Sequence, residues 1–462
     1  MHVSQMKVRT LLGAVVISAM VVGAMGQAHA ADRFVSTAGS DTANDCLTSA
    51  SPCLTLTHAV AQAASGDTVK IAGGTYAGTL SFSASVTLTL SAGWTATFGL
   101  RDPEVNLTKF VSSVQIDAGP GAVIDVTVDG MTITHNGSFS LVRATAADTG
   151  SVTLALNDCV LRGTSGFPFP PPSGLSVSAA DTGSVAVTIA DSVIEGNRIG
   201  LSAGAAGNST VDIVATNLVV RKNRDRDKVV PTGCGILLRS LDSGALSATL
   251  TASTIQSNGP GFETRGGGIY SSREGGVLEL ELDGSTVSKN RAPEGAGIWA
   301  AGSDLVLINS GVFRNGASDV GGGLVFYGYG AQLSLTNSTI AGNRAPTGGG
   351  LVVNSSSADL LNAIVWGNRA LSGVDLATAP STVVNADHSD IGQRVVAGTF
   401  NDLGGNIDAD PLLRSRNRDV HIRPGSPAID TGTCAGAPTT DFDGDPRPTG
   451  AGCDMGADEF VP

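Results

Sequence analysis

The sequence predicts an all-β fold: a single solenoid of short parallel strands, with a short helix over its N-terminal end and a separate capping module at its C-terminal end. Three observations carry that expectation. A hexapeptide ending in Asn recurs along the chain, as in "STIQSN" at Asn258, "STVSKN" at Asn290 and "STIAGN" at Asn343. The chain holds 61 Gly in 462 residues, nearly twice the ~7% average and without the every-third-residue period of collagen, so the Gly serve turns. Aromatic residues are only 4% of the chain, which suits a narrow core of Val, Ile, Leu and Ala.

The repeat justifies the elements in order. Copies end at Asn136, Asn197, Asn223, Asn258, Asn290, Asn315, Asn343 and Asn368, with a degenerate copy, "DCVLRG", that has Gly163 in place of Asn. Their mean period is about 29 residues, in the range of stacked repeats. Three places before each Asn stands Ile133, Ile194, Val220, Ile255, Val287, Val312, Ile340 or Val365. Six places before it, a second polar column holds Asp191, Asn217, Asn309, Asn337 and Asn362. After it comes a Gly followed by a branched residue, as in Gly297-Ile298 and Gly350-Leu351. Alternating runs such as "LELEL" (278–282) fill the rest, and period-two alternation cut by turn residues means strands. A unit this short buries its apolar face only against a copy of itself, at the ~4.8 Å strand spacing. Asn and Gly tolerate the left-handed backbone of sharp corners, and stacked Asn amides can hydrogen-bond along the rod. The Asn columns are therefore read as structural.

The ends differ from the middle. Lys7 and Arg9, the apolar run Leu11–Met25 and Ala28-His29-Ala30 form a secretory leader pattern, residues 1–30. Without it, 26 basic residues face 41 acidic ones, a formal −15, which disfavours nucleic acid and anionic membrane as partners. No other segment is apolar enough to span a bilayer as a helix, so no transmembrane segment is expected in the mature chain. Residues 31–76 read as a cap and first coil, with Leu56, Val60 and Ala63 on one face of the chain's best helix candidate, 54–64. Residues 77–385 hold the coils and 386–462 the terminal module, giving about 13 coils and a rod of roughly 60 Å. In an exported chain, Cys46 with Cys53 and Cys434 with Cys453 read as local disulfides at the two ends. Cys159 and Cys234 sit inside the repeats, and the sequence leaves open whether they pair.

Several stretches resemble known families. "VFRNGASDVGGGLVF" (312–326) resembles the repeats of chlamydial-type polymorphic outer membrane proteins. "SPCLTLTHAVAQAASGDTVKIAGGTY" (51–76) resembles the N-terminal cap and first coil of pectate-lyase-like right-handed parallel β-helices. "NIDADPLL", "HIRPGSPAIDTGT", "TDFDGDPRP" and "CDMGADEF" are similar to the terminal module of bacterial choice-of-anchor Q proteins. Together these resemblances imply a right-handed parallel β-helix that is exported. The chain stops at Pro462, directly after that module, so release or capture by a partner is the expectation rather than self-anchoring.

Candidate chemistry lies on the strand after each Gly cluster. If Ile269, Ile298 and Leu324 point inward, then Tyr270 and Trp299, and two residues further on Arg239 and Tyr327, point outward. Tyr270, Trp299 and Tyr327 would then form a row on consecutive coils on which sugar rings can stack, with Arg239 and Glu263 beside it. The competing reading is that these rings cover a strand face beneath a loop. The chain lacks an Asp-Asp pair and a Gly-His-Gly, and only Arg226-Asp227-Lys228 matches a third element of the polygalacturonase pattern. In "DFDGD", Asp441, Asp443 and Asp445 have spacing that could collect Ca²⁺, but the twelfth-position Glu of an EF-hand is missing. The alternative is a turn in which Asp441 or Asp454 pairs with Arg447. No other cofactor is indicated. The leading functional expectation is an exported non-catalytic, adhesin-like protein binding a polysaccharide or cell-surface component. A lyase or glycosidase acting on an acidic polysaccharide, and a passive surface or matrix protein, are the alternatives.

Overall fold

The computed structural model describes residues 30–135, 139–163, 173–224, 234–259, 265–414 and 419–462. The leader pattern, Asn136, the Pro-rich stretch 167–172, Arg226-Asp227-Lys228 and Glu263 fall outside them.

One coil shows how the repeat folds. Ile298–Ala301 lies on a first face, Asp304–Ile308 on a second and Gly311–Phe313 on a third. Alternation sends Ile298, Leu305, Leu307 and Val312 inward, and all four are fully buried. Each such burial is worth roughly 2 kcal/mol. The next coils repeat this in register: Ile269, Ile298, Leu324, Leu351 and Leu376 are successive partners on the first face. Val287, Val312, Ile340, Val365 and Ile391 are successive partners on the third. Every strand pairing between coils is parallel, and the third face is a 12-stranded sheet. The molecule is a right-handed parallel β-helix. The first two faces form one 24-stranded sheet because Ile236–Thr251 and Ile269–Asp283 run over both without a break. At the bend Gly276 has φ +55°, and a Cβ there would stand 2.0 Å from the Gly244 carbonyl oxygen. Only Gly fits that corner.

The two polar columns do different work. Asp191, Asn217, Asn309, Asn337 and Asn362 hold φ between 45° and 53°, the left-handed corner between second and third faces. The repeat Asn are not themselves the left-handed residues; the residue before each takes that conformation, as at Lys289 and Arg314. Each repeat Asn instead joins a buried amide ladder. Asn290 donates from its backbone N and its Nδ2 to Asn315 Oδ1, and its Nδ2 also reaches the Ile255 carbonyl. Its own Oδ1 accepts the same pair of bonds from Asn258. The ladder runs from Asn197 through Asn223, Asn258, Asn290, Asn315 and Asn343 to Asn368. Asp375 ends it by accepting both Asn368 donors at 2.9 Å. A second ladder runs through the Ser that opens these hexapeptides: the hydroxyls of Ser253, Ser285, Ser310 and Ser338 each accept from a backbone N–H of the coil before.

The N-terminal cap contains the expected helix, Leu56–Gln62, started by Thr55, whose hydroxyl accepts from the His58 backbone N. Leu56 is buried, and Val60 and Ala63 pack against the end of the core. Asp32–Val35 pairs with Thr68–Ala72 beneath it, and the Cys46–Cys53 disulfide closes the preceding loop. At the other end coil pairing continues to Thr399–Gly404. The terminal module then folds back along the third face instead of prolonging the rod. Leu413, Ile422, Ala428 and Met455 cover Ala341 and Ile364. Corner amides dock it: Asn309 Nδ2 donates to the Thr440 carbonyl, Asn337 Nδ2 to that of Asp454 and Asn362 Nδ2 to that of Thr433. Inside the module, Cys434 and Cys453 are bonded, and Arg447 forms a fully buried pair with Glu459 at 2.9 Å. Arg447 thus forms no ion pair with Asp441 or Asp454: backbone N–H groups occupy both carboxylates, and Arg447 reaches only the backbone carbonyl of Asp454.

Candidate functional site

The register of the first face sets the outward row. Tyr270 lies beside Trp299, and Ala301 beside Tyr327, on neighbouring coils. The Tyr270 and Trp299 rings stack at 4.8 Å and 12°. Trp299 and Tyr327 are tilted at 5.9 Å, and Tyr327 stacks on Tyr329 at 6.2 Å. Tyr329 extends the row beyond the residues the sequence pattern suggests; its Tyr-Gly-Tyr spacing from Tyr327 was the available signal. Two guanidinium groups lie over the rings, Arg239 at 5.5 Å from Tyr270 and Arg265 at 5.0 Å from Trp299. Arg265 is held by Glu294 at 2.7 Å.

The row is not uniformly accessible. Trp299 is only 5% exposed, packed in a small outer cluster with Ala301 and Val325, whereas Tyr329 is 65% exposed. The Trp299 Nε1–H is buried without a hydrogen-bond partner among the described residues. Burial, followed by the nearby Glu294 carboxylate, raises the Tyr327 phenol above its usual value. The arrangement is a stacked π-surface with two cations over it, of the kind that meets the apolar face of a sugar ring, while the indole N–H lies beneath that surface. Glu263, the expected acidic neighbour, lies outside the described residues.

Two carboxylates of the 441–445 turn, those of Asp441 and Asp443, are engaged by the fold. Asp441 accepts backbone N–H bonds from Asp443, Asp445 and Glu459. Asp443 bonds His421 Nε2 at 2.7 Å, while His421 Nδ1 bonds Asp419. His421, Asp443 and Asp458 are the residues there whose ligand atoms come within 4.8 Å of one another. Burial by itself would lower the His421 pKa, but the hydrogen bonds to Asp419 and Asp443 outweigh it and raise it. When protonated, the ring places a positive charge among these carboxylates. Burial also pushes Asp458 up to about 6.

Other nucleophile candidates are held inside. Cys159 and Cys234 are unpaired and buried, and burial pushes both thiols up to about 12, far from a reactive thiolate. Gly200 to Gly204 matches a Gly-x-Ser-x-Gly pattern that the repeat-based reading passes over. It lies within the strand Ile199–Ala205, paired on both sides, and not on the strand-to-helix turn that exposes a nucleophile. Among the described residues, no helix is long and apolar enough to cross a membrane.

The family model described as a right handed beta helix region matches residues 173–386. The crystal structure of pectate lyase Pel9A is similar over 93% of this chain and 96% of that one, at 12% identity and a TM-score of 0.43. That distance lends this chain none of the lyase's chemistry. No curated protein sequence matches.

Proposed function

We propose that this is an exported, non-catalytic β-helix protein that binds a polysaccharide or a glycan-bearing surface, in the manner of an adhesin. The observation that carries the reading is the outward row Tyr270–Trp299–Tyr327–Tyr329 with Arg239 and Arg265 over its rings. Successive coils offer successive stacking surfaces, which matches a chain of sugar rings better than a single small molecule. Export is supported by the leader pattern and by disulfides at both ends. The resemblance of the terminal module to choice-of-anchor Q proteins points the same way.

The test is binding and turnover on one panel of acidic and neutral polysaccharides, with and without Ca²⁺. Binding without new reducing ends, weakened in Tyr270→Ala and Tyr327→Ala, supports the proposal. Release of reducing ends from any polymer would instead make the protein a lyase or glycosidase. Unchanged affinity in both Tyr variants would remove the row as the site.

A further inference from the structure

The corner between third and first faces carries a stripe of cations that the aromatic row does not use. The residue before each repeat Asn and the residue after it form two outward columns flanking the buried amide ladder. Register fixes the second column: Arg291 pairs with Gly316, Gly316 with Arg344, and Arg344 with Arg369. Where that column falls to Gly316, the first column supplies Arg314; where the first falls to Gly342 and Gly367, the second supplies Arg344 and Arg369. The coil before them has both Lys289 and Arg291. No coil from Lys289 to Arg369 is without a cation.

Three further observations bear on this stripe. Lys289 and Arg314 take φ of 57° and 59°, a left-handed conformation that Gly342 and Gly367 adopt in the sister coils. Long basic side chains stand where Gly would be the relaxed choice. All five cations are exposed, and among the described residues none has an ion-pair partner, although the chain as a whole has a formal charge of −13. They line a groove of about 1130 Å³, floored by Asn290 and Asn315, whose amides are saturated by the ladder. The floor is rigid and neutral, and the rims are positive.

We infer that this groove is a second binding site, for a linear acidic polysaccharide lying along the rod axis with its carboxylates or sulfates facing Lys289, Arg291, Arg314, Arg344 and Arg369. The site goes beyond the aromatic row and does not depend on it. One cation per coil at ~4.8 Å matches an extended pyranose chain, which advances by about one coil spacing per ring. Guanidinium groups bind carboxylate and sulfate by paired N–H donors. A duplex nucleic acid, broad and densely charged, is disfavoured by the acidic remainder of the surface.

The probe is oligogalacturonate of graded length, titrated against the mature full chain at low and high salt, with neutral mannan and single-stranded DNA alongside. The expected result is salt-sensitive binding that strengthens with length until the four coils are spanned. Arg314→Gly/Arg344→Gln/Arg369→Gln should lose roughly tenfold or more while unfolding at the same temperature as the parent. Arg344→Glu alone should show the same direction and guards against a misfolded triple variant. Undiminished binding in the triple variant, no binding of the acidic oligomers at low salt, or equal affinity for single-stranded DNA each overturns the inference. The two sites separate cleanly. Affinity lost only in Tyr270→Ala/Tyr327→Ala overturns the groove and keeps the aromatic reading; affinity lost only in the Arg variants does the reverse.

Discussion

The aromatic row and the basic groove both advance one coil at a time, yet they are built in opposite ways. In the row, rings stack on one another and arginines lie over them, so that Trp299 is buried within an outer cluster. In the groove, five cations stand in water above a ladder of amides that already has all its partners. The row is committed to structure and offers a ligand only its outer edges. The groove is structurally idle, and its side chains are free for a partner. A solenoid thus separates folding from binding by one residue: Asn290 is locked in the ladder while Lys289 and Arg291 on either side of it face solvent.

The sharpest way to break this contrast is Trp299→Ala. If the row is a packed cluster, the change costs roughly 4 kcal/mol in denaturant unfolding. A loss below about 1 kcal/mol would mean that the ring is an exposed platform after all. Asn290→Ala should come next, at roughly 3 kcal/mol, because the Asn258 backbone N–H and Nδ2 lose their buried acceptor. Equal stability would show that the floor of the groove is not held by the ladder.

A smaller effect concerns the last coil, where the same contrast of satisfied and orphaned groups recurs. Both Asp375 oxygens accept hydrogen bonds, whereas Asp390 Oδ2 has no partner among the described residues. Burial, with Asp408, Asp375 and Asp410 nearby, pushes Asp390 up to about 7. A raised carboxyl pKa means the folded state holds its proton more tightly than the unfolded chain does. Stability from this group therefore grows as pH falls below about 7 toward the ordinary value near 4, and is lost as pH rises through 7. Melting temperature should fall between pH 5.5 and pH 8, and Asp390→Asn should flatten that slope. An identical slope in the variant would assign it elsewhere, with His421 the next group to change, since its raised pKa has the same sign. Smallest of all, Arg344→Ala should alter stability by less than about 0.5 kcal/mol; a larger loss would make the stripe a structural element.

Much of this was legible in the sequence because a stacked repeat writes its core as columns. The residues three before each described Asn, Ile194 to Val365, are all buried, and the disulfides at both ends need only local neighbours. What stayed hidden depends on three-dimensional adjacency. Asn309, Asn337 and Asn362 look like ordinary corner residues until the terminal module is seen to hydrogen-bond to them. The burial of Trp299 depends on Arg265, which reaches it from the turn of the preceding coil. The basic groove is only half legible: Arg291, Arg344 and Arg369 follow their Asn in the sequence, but only the parallel register shows that Arg314, on the other side of its Asn, fills the gap left at Gly316.

The end of the amide ladder has a consequence for how such a chain can lengthen. From Asn223 to Asn368 every Asn both accepts from the coil before and donates onward, while among the described residues Asn197 only donates, so the chain of bonds has a direction. Asp375 is a pure acceptor and stops it. A duplicated coil inserted anywhere between Asn223 and Asn343 would find a donor on one side and an acceptor on the other, whereas one placed after Asp375 would meet a carboxylate with nothing to give. Duplication can therefore lengthen the amide ladder in its middle, while the coil pairing that continues past Asp375 does so without it.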